Sequence, residues 1–440
     1  MKDINKSREN INKIDKKIAS LFEERMNEAK EIAKYKFDNN LDIENKERET
    51  ELIEKNLSFI NSDELKDYYQ SFEEAMFKIS KNYQHRIISV LNDSLDNIRT
   101  ITVEAGMEDS YPVYITKGNI SNLIDLINIR IKKILIVTDT NIPESYIEEV
   151  KNEATNSFVL KIQAGEENKS IESYLKIMDA LSMNKFTRSD AIVALGGGVI
   201  GDLAGFAAST YMRGIDFYNI PTSLLAMVDS SIGGKTAIDY KDTKNIVGAF
   251  YQPKAVLIAL NTLKTLPTRE FYNGLVESIK MAASFNKDLF NLIKNSNNLD
   301  DDLLTIIYES LKIKAWVVKK DVKEKNLRKA LNFGHSLGHV YEILSKQTSS
   351  PLLHGEAVGI GMLDFSSDEV KQELKEVLKK YNLPTSLNEE QKKVITKENI
   401  LDKLSLDKKI LNNKLNAIYV KEIGSFEFLK LDVNEIIKED

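Results

Sequence analysis

Three of the four histidines in the sequence lie close together in its last third, where they are candidates for metal binding or catalysis. His335 and His339 are one helical turn apart and would share a helix face, and His354 follows soon after. No glutamate follows His335 directly, so the H-E-x-x-H zinc-protease motif is absent. Because the chain has no cysteine, a transition metal would need histidine and carboxylate ligands. Such a set leaves coordination positions open for a substrate, but spacing alone does not identify the carboxylate.

A glycine-rich segment is the second candidate. In AIVALGGGVIGDLAGF, Gly196, Gly198 and Gly201 have G-x-G-x-x-G spacing after a predicted strand and at the start of a predicted helix. Glycines there let backbone N–H groups approach a pyrophosphate at the positive end of a helix. Four polar residues accompany the glycines that follow: Arg213, Lys235, Lys244 and Asn245. Basic residues beside flexible loops suit a second anion such as a substrate phosphate; solvated loop lysines are the structural alternative.

Polar residues near the N-terminus form a third candidate site. At about 100° per residue, Arg25 and Lys36 differ by roughly 20° after three turns and share one stripe of a helix. Arg8 lies off that stripe, whereas Ser80 and Gln84 are one turn apart on a later helix. Cations beside an apolar stripe usually extend to water, and a coiled-coil tether is a second structural explanation for a long first helix.

The elements that must position these residues begin with a helical segment. No glycine precedes Gly106 and no proline precedes Pro112, and a segment that long without either residue is predicted to be helical. Apolar residues at helix spacing predict a long first helix, a second over about 47–60 and a third over about 63–85. We assign residues 1–92 to this domain.

Strands and helices alternate after residue 100. KKILIVTDT, DAIVALGGG and FYNIPTS have the apolar runs of buried strands, and the alternation predicts an α/β domain with a parallel sheet over 98–266. The pattern is mainly helical over 267–440, with a short β-like tail at KLNAIYVKEIG. The fold class is therefore multidomain: all-α, then α/β, then mainly α-helical.

Composition limits the class of protein. The 440 residues allow roughly two or three domains. A hydrophobic content of 42% with 29% charged residues excludes global disorder, and the absence of cysteine excludes disulfides and thiol chemistry. A net charge of −6 argues against a nucleic-acid partner. No apolar run approaches the ~20 residues of a membrane span, so we predict no membrane partner and a cytoplasmic location.

From about residue 100 onward, many ordered blocks resemble the 3-dehydroquinate synthases: GGGVIGDLAGFAAS, PTSLLAMVDSSIGGKTAI, KNIVGAFYQP, GLVESIK, LRKALNFGHSLGH and HGEAVGIGM. The resemblance implies a nucleotide-binding α/β domain followed by a helical metal domain. It implies cyclisation of 3-deoxy-D-arabino-heptulosonate 7-phosphate to 3-dehydroquinate with phosphate release. It also implies NAD, which removes and returns a hydride, and Zn²⁺ or another divalent metal such as Co²⁺, which polarises the reacting hydroxyl.

The same resemblance implies a role for each matching residue. The implied metal ligands are Glu277, His335 and His354. The implied NAD contacts are Asp139, Glu166, Lys169, Gly197, Gly198, Asp202, Thr222 and Leu225. The implied substrate and catalytic residues are Arg213, Asp229, Lys235, Lys244, Asn245, Lys280, Lys314, Glu324, Arg328, Asn332, His339 and, in the DKK block, Lys408.

Residues 4–88 resemble the all-helical chorismate mutases through RENINKIDKKIASLFEERMNEAKEIAKYK, KERE and ISKNYQ. The implied ligand positions are Arg8, Arg25, Lys36, Arg48, Glu49, Ser80 and Gln84. The implied reaction, chorismate to prephenate, is pericyclic and needs a compact substrate conformer and positive charge at the ether oxygen, which Lys36 and Gln84 could face. The family takes one arginine from a partner chain, a role that fits Arg8 and predicts a homodimer.

The sequence thus predicts a bifunctional enzyme of aromatic biosynthesis that acts on small anionic substrates. In one alternative, the helical domain is a non-catalytic regulatory or dimerisation module. In another, the remainder is a different NAD- and metal-dependent sugar-phosphate cyclase or a polyol dehydrogenase. A simple dehydrogenase needs no phosphate-binding residues, so Lys235, Lys244, Asn245 and Arg328 argue against it.

Overall fold

The structure is a computed structural model. It describes residues 4–432 apart from 40, 42, 44–45, 96–97, 107–108, 125, 128, 130, 155, 242, 406–409 and 412–413. The chain divides into two compact units, Met1–Thr102 and Val103–Asp440. None of the helices in the described ranges has the length and apolar character needed to cross a membrane.

The first unit is built from three helices: α1 (Ile4–Asp38), α2 (Lys46–Leu57) and α3 (Asp63–Leu95). The predicted all-helical fold is confirmed, although α3 runs further than the sequence pattern indicated. Both α1 and α2 pack against α3. Ala29 and Ala33 are the buried apolar residues of α1, and their small side chains allow the close approach of α3.

The second unit begins with strands and helices that alternate, as predicted. The strands of the chain are β1 (Arg99–Glu104), β2 (Ser110–Thr116), β3 (Lys133–Asp139), β4 (Asn156–Ile162), β5 (Ala191–Gly196), β6 (Asp216–Pro221), β7 (Lys235–Tyr240), β8 (Thr243–Phe250), β9 (Ala255–Ala259), β10 (Ile410–Leu411), β11 (Lys414–Tyr419) and β12 (Glu427–Asp432). The helices of its α/β part are α4 (Ser121–Ile124), α5 (Glu144–Asn152), α6 (Ile171–Met183) and α7 (Gly198–Thr210).

Seven strands form one sheet in the order β1-β2-β9-β6-β5-β3-β4, and all register pairs described from β2 to β4 are parallel. Every residue of β5 is buried, as expected for a strand covered on both faces. Strand β4 lies on one side of β3 and β5 lies on the other, so the direction in which strands are added reverses after β4. Ligands of open α/β sheets bind at such a reversal, beyond the carboxyl ends of the strands.

An antiparallel hairpin of β7 and β8 interrupts this pattern. The glycine-rich, basic composition of these residues did not indicate strands. Gly248 is required within β8, because a Cβ there would clash with the backbone of Thr236 on β7. The hairpin carries Lys235, Lys244 and Asn245, so these residues lie on or beside paired strands rather than in an open loop.

The remaining helices confirm the predicted helical region. They are α8 (Thr268–Phe285), α9 (Lys287–Asn295), α10 (Leu299–Lys320), α11 (His335–Ser345), α12 (His354–Asp364), α13 (Asp368–Lys380), α14 (Glu389–Val394) and α15 (Lys397–Ser405). Helix α8 is central, since residues 273–284 are all buried and it contacts α9, α10 and α12. The predicted β-like tail is β11, which pairs with β10 and β12. The predicted domain boundary at 266/267 stays a prediction.

Close packing of α11 against α12 leads to a stability prediction. A Cβ at Gly361 would clash with the carbonyl oxygen of Gly334, a backbone atom that cannot rotate away. Gly361→Ala is therefore expected to destabilise the second unit by about 1–3 kcal/mol, measured as a lower unfolding temperature in calorimetry. Gly359→Ala, on the same helix, is the control, because the nearest atom to its Cβ would be a flexible methyl of Leu378 at 3.3 Å. Equal unfolding temperatures for the two variants would contradict this account.

Candidate active sites

The first candidate site lies between three helices. Helix α8 carries Glu277, α11 begins at His335 and α12 begins at His354; we call these three residues the metal cluster. Oε1 of Glu277 lies 3.6 Å from Nε2 of His335 and 3.5 Å from Nε2 of His354. This oxygen is buried and has no hydrogen-bond partner among the described residues. Three donor atoms that converge in this way fit the coordination shell of a divalent metal.

Hydrogen bonds at the other ring nitrogens orient both histidines. Nδ1 of His335 lies 3.2 Å from the carbonyl oxygen of Phe333, and Nδ1 of His354 lies 3.1 Å from Oε2 of Glu342. In the neutral imidazole, each contact places the proton on Nδ1 and leaves the Nε2 lone pair directed towards Glu277. Nε2 is thus the ligand atom that each ring offers.

The charges of the cluster also suit a metal. Burial by itself raises the pKa of Glu277, but Lys280 and His354 outweigh it and lower the pKa to about 2. Burial lowers the pKa of His354, but the Glu277 and Glu342 carboxylates outweigh it and raise the pKa to about 9. Burial and the charge of Lys280 hold the pKa of His335 well below its usual value. A metal ion would therefore meet an ionised carboxylate and a neutral His335, and would replace a proton on His354.

His339 lies beside this cluster, one turn after His335 on α11. Its ring centroid is 5.2 Å from that of His335 and 5.5 Å from that of His354. The candidate ligand atoms of the three histidines lie within 4.8 Å of one another. Sequence spacing left the carboxylate open; the structure places Glu277 against both His335 and His354, with Lys280 paired to its second oxygen.

The second candidate site lies at the carboxyl ends of the parallel strands. Asp139 ends β3, Gly196 ends β5 and Thr222 follows β6, so the three residues lie together at the carboxyl ends of neighbouring strands, which we call the nucleotide edge. Gly197 is the N-cap residue of α7 and Gly198 is its first residue; we call residues 196–198 the glycine turn. A Cβ at Gly198 would lie 3.0 Å from a neighbouring hydroxyl. The turn thus keeps a helix N-terminus clear of side chains, which suits a pyrophosphate.

Further polar residues extend from the nucleotide edge towards the β7–β8 hairpin. Nζ of Lys169 lies 2.6 Å from Oδ2 of Asp202 and 2.5 Å from Oδ1 of Asn245. Burial raises the pKa of Asp202 to about 6, although Lys169 acts against it. Glu166 lies one turn before Lys169, in the 3₁₀ turn Glu166–Asn168 that follows β4. The predicted NAD contacts Lys169 and Asp202 and the predicted substrate residue Asn245 are thereby joined by direct contacts.

Lys244 lies between the nucleotide edge and the metal cluster and contacts a carboxylate on each side. Its Nζ lies 2.9 Å from Oε1 of Glu342 and 3.9 Å from Oε1 of Glu166. Because Glu342 also contacts His354, a continuous chain of charged side chains leads from the nucleotide edge to a metal-cluster histidine.

Two buried cations, Lys314 and Arg328, lie near the hairpin. Nζ of Lys314 lies 2.5 Å from Oδ1 of Asp229, and burial lowers the pKa of Lys314 to about 8 although Asp229 raises it. Arg328 is buried and donates to the carbonyl oxygen of Gly233 at 3.2 Å. The hydroxyl of Tyr111 accepts a hydrogen bond from the amide of Gly233 at 3.0 Å.

Lys235 and Glu324 form an ion pair, and Glu324 also accepts a 3.0 Å hydrogen bond from Asn332. Other predicted residues are not brought into these contacts. Arg213 is exposed, with φ of 69° at the end of the turn Tyr211–Arg213. Within the described ranges it forms no hydrogen bond or ion pair with another predicted site residue. Leu225 precedes the π-helical turn that contains Asp229, and Lys408 lies outside the described residues.

The first unit contains its own group of unsatisfied polar atoms. Nη1 of Arg25 on α1 and Oε1 of Gln84 on α3 are buried and have no hydrogen-bond partner in the part of the chain that the structure describes. Nε2 of Gln84 donates to Oγ of Ser80 at 3.4 Å, and the Arg25 guanidinium lies 5.7 Å from the centre of the Phe77 ring. A buried unpaired guanidinium nitrogen suits a carboxylate ligand.

The other predicted mutase residues are more accessible. Lys36 donates to a backbone carbonyl of the α1–α2 connection at 2.7 Å. Glu49 pairs with Lys81 of α3 at 3.1 Å. Arg48 and Arg8 are exposed. The predicted mutase residues thus include buried polar atoms on α1 and α3 and an exposed arginine on α2.

Three residues that contact predicted site residues or their neighbours were not predicted from the sequence: Glu342, Tyr111 and Lys81. A signal existed for Glu342, since it follows His339 by three residues in GHSLGHVYE and must lie on the same side of α11. Tyr111 and Lys81 had no local signal, because their partners are distant in the sequence.

The fold and the sites define a class of α/β enzyme in which a glycine turn at a parallel sheet is joined to a helical metal-type cluster. Solved structures share this architecture. A 2-epi-5-epi-valiolone synthase from Streptomyces hygroscopicus with NAD⁺ and Zn²⁺ bound is similar with a TM-score of 0.67 and 27% identity, over 76% of this chain and 96% of that one. A 2-deoxy-scyllo-inosose synthase shares the fold with a TM-score of 0.67 at 21% identity, over 77% of this chain and 97% of that one.

Family models and curated relatives identify the family. The models for the N- and C-terminal parts of 3-dehydroquinate synthase match residues 159–273 and 274–410, and that for chorismate mutase type II matches 7–85. The 3-dehydroquinate synthase of Campylobacter concisus is 40% identical over 343 residues, covering 75% of this chain and 94% of the relative. That of Clostridium beijerinckii is 41% identical, covering 76% and 98%. The chain belongs to the 3-dehydroquinate synthase family and carries an additional chorismate mutase domain. The predicted fusion of two enzymes is confirmed.

Proposed function

We propose that the second unit cyclises 3-deoxy-D-arabino-heptulosonate 7-phosphate to 3-dehydroquinate with phosphate release, and that the first unit converts chorismate to prephenate. The observation that carries the first assignment is the unpaired Oε1 of Glu277, held between the Nε2 atoms of His335 and His354 in a member of this synthase family. For the second, it is the unpaired Nη1 of Arg25 in a chorismate mutase domain.

NAD and a divalent metal, zinc in our proposal, complete the synthase site. The related 2-epi-5-epi-valiolone synthase carries NAD⁺ and Zn²⁺, and the residues here fit both groups. Glu277, His335 and His354 would hold the metal, and the glycine turn with Asp139 and Thr222 would hold the nucleotide. When bound, NAD supplies hydride removal and return, and the metal supplies Lewis acidity towards a substrate hydroxyl.

The chain's own residues bind and orient the anionic substrate. Lys314 and Arg328 are buried cations near the hairpin, and a phosphate or carboxylate would repay their desolvation. Lys235 and Lys244 are more exposed and could follow the substrate as it binds. Lys280 neutralises one oxygen of Glu277 and leaves the other for the metal.

The mutase site works by positioning, because a pericyclic rearrangement needs no nucleophile. The Arg25 guanidinium can bind a substrate carboxylate, and the Nε2 amide of Gln84 can donate a hydrogen bond to the ether oxygen as its bond breaks. Lys36 lies on the same stripe of α1 as Arg25 and supplies a second positive charge.

The synthase assignment is tested with the purified chain, heptulosonate phosphate, NAD and Zn²⁺. We expect phosphate release without net NADH accumulation, because the hydride is returned. Chelation should abolish phosphate release and leave prephenate formation unchanged, since the mutase residues include no metal-type cluster in the described first unit. Net NADH formation from an alcohol, without phosphate release, would instead support the polyol dehydrogenase alternative.

We further propose that the first unit forms a homodimer in solution. Several apolar side chains on α1 are exposed, among them Ile11 at 55%, Ile14 at 54% and Ile18 at 48%. They recur at helical spacing and form one stripe, which a second copy of α1 could cover. Arg8 is exposed near one end of this stripe and could reach into the partner's site.

Complementation between variants tests the dimer. If Arg8 acts in the partner's site, Arg8→Ala and Arg25→Ala chains are each inactive as mutases but regain activity when co-expressed. About a quarter of the wild-type rate is expected, since half of the dimers are mixed and each mixed dimer has one intact site. Absence of recovery, or a mutase-active monomer in sedimentation measurements, would contradict the proposal.

A further inference from the structure

We propose that Glu342 is a positioning residue that orients the metal-cluster ligand His354 and at the same time holds Lys244 of the hairpin. Glu342 is not among the residues that the family resemblance brought forward. It lies on α11, one turn after His339, and its side chain is only 12% exposed. This inference rests on the proposed metal site.

The two carboxylate oxygens of Glu342 serve different elements. Oε2 accepts a hydrogen bond from Nδ1 of His354 on α12 at 3.1 Å, and Oε1 accepts one from Nζ of Lys244 on β8 at 2.9 Å. The two contacts bridge the metal cluster and the hairpin through a single side chain. Glu342 thus links His354 to the strand pair that carries Lys235 and Lys244.

The contact with His354 acts on metal binding. An acceptor at Nδ1 fixes the proton on that atom and leaves the Nε2 lone pair for the metal. His335 has only a backbone carbonyl, that of Phe333, in the equivalent position. A carboxylate is a stronger hydrogen-bond acceptor than a carbonyl and makes the Nε2 atom of the ring a stronger metal ligand. Glu342 should therefore tighten metal binding through His354 in particular.

The contact with Lys244 acts on substrate binding. Lys244 is 41% exposed, and its only other carboxylate contact in the described chain is Glu166 at 3.9 Å. A lysine side chain has many rotamers, and the shorter contact with Glu342 restricts them. Loss of Glu342 should therefore raise the KM for the phosphate substrate in addition to weakening the metal.

The test compares Glu342→Gln and Glu342→Ala with wild type, using Co²⁺ as the probe metal. Glutamine keeps the shape and can accept from His354, but it cannot pair with the Lys244 charge. We expect Glu342→Gln to raise the substrate KM with a smaller loss of Co²⁺ affinity. Glu342→Ala should lose about 10- to 100-fold in Co²⁺ affinity and shift the visible absorption bands of bound Co²⁺. Glu376→Gln is the matched control, because Glu376 is an exposed α13 carboxylate paired with Lys294.

The outcomes separate this inference from the proposed function. Wild type that binds no Co²⁺ or Zn²⁺ in these titrations would overturn the proposed metal site together with the role of Glu342. Wild type that binds metal, with a Glu342→Ala variant of equal Co²⁺ affinity and unchanged spectrum, would overturn the role of Glu342 alone. Prephenate formation by each variant should equal that of wild type, since the mutase residues lie in the first unit.

Discussion

Replacement of Glu277 by alanine is expected to abolish phosphate release from heptulosonate phosphate while prephenate formation continues at the wild-type rate. Glu277 supplies the only carboxylate oxygen that lies 3.5–3.6 Å from both Nε2 atoms of the metal cluster among the described residues. Removal of Glu277 takes away a charged metal ligand. The rate of phosphate release should therefore fall by more than the roughly 100-fold seen when only a hydrogen-bond partner of a metal ligand is removed.

The alanine variant also leaves Lys280 buried without its carboxylate, which can cost about 3–5 kcal/mol of stability. Glu277→Gln is therefore needed beside it, because the amide keeps the volume and a hydrogen-bond acceptor for Lys280 while it loses the negative charge. Bound metal, measured by elemental analysis, should fall in both variants. Glu270→Gln, at an exposed position of the same helix, is the control. Phosphate release by Glu277→Gln within about tenfold of wild type would remove Glu277 from the ligand set.

The elements that position this site were predictable where the chain follows a regular period. The buried run of β5 and the glycines after it indicated a strand, a turn and a helix, and the structure has β5, the glycine turn and α7 in that order. The helical first unit followed from the absence of glycine and proline. These signals are local, so no knowledge of tertiary contacts was required to interpret them.

Other features depend on contacts between distant residues and carry no local signal. The β7–β8 hairpin has an exposed second strand with lysine, asparagine and glycine, a composition that resembles a loop. The choice of Glu277 as the carboxylate beside the histidines came only from family resemblance, because 58 positions separate it from His335 in the sequence. Glu342 was missed for a different reason: a glutamate on a helix is usually solvated, and its two partners lie on β8 and α12.

The mutase assignment leads to the second large effect: Arg25→Ala should reduce kcat for prephenate formation by about 100- to 1,000-fold, the range for loss of one preorganised charge-stabilising donor. Nη1 of Arg25 is buried without a partner among the described residues, and burial of an unpaired cationic donor is costly unless a ligand anion pairs with it. Stability of the first unit should therefore fall little in the variant, or even rise, while turnover is lost.

Three comparisons make this prediction specific. Arg25→Lys keeps the charge but loses bidentate geometry, and should retain an intermediate rate. Lys34→Ala removes a cation of the same helix that pairs with Glu31 at 2.7 Å, and should leave the rate unchanged. Phosphate release by the Arg25→Ala, Arg25→Lys and Lys34→Ala variants should equal that of wild type. If the wild-type protein binds chorismate but forms no prephenate, the helical unit is a regulatory module. In that case Arg25→Ala would weaken chorismate binding, and no mutase rate would be measurable in either protein.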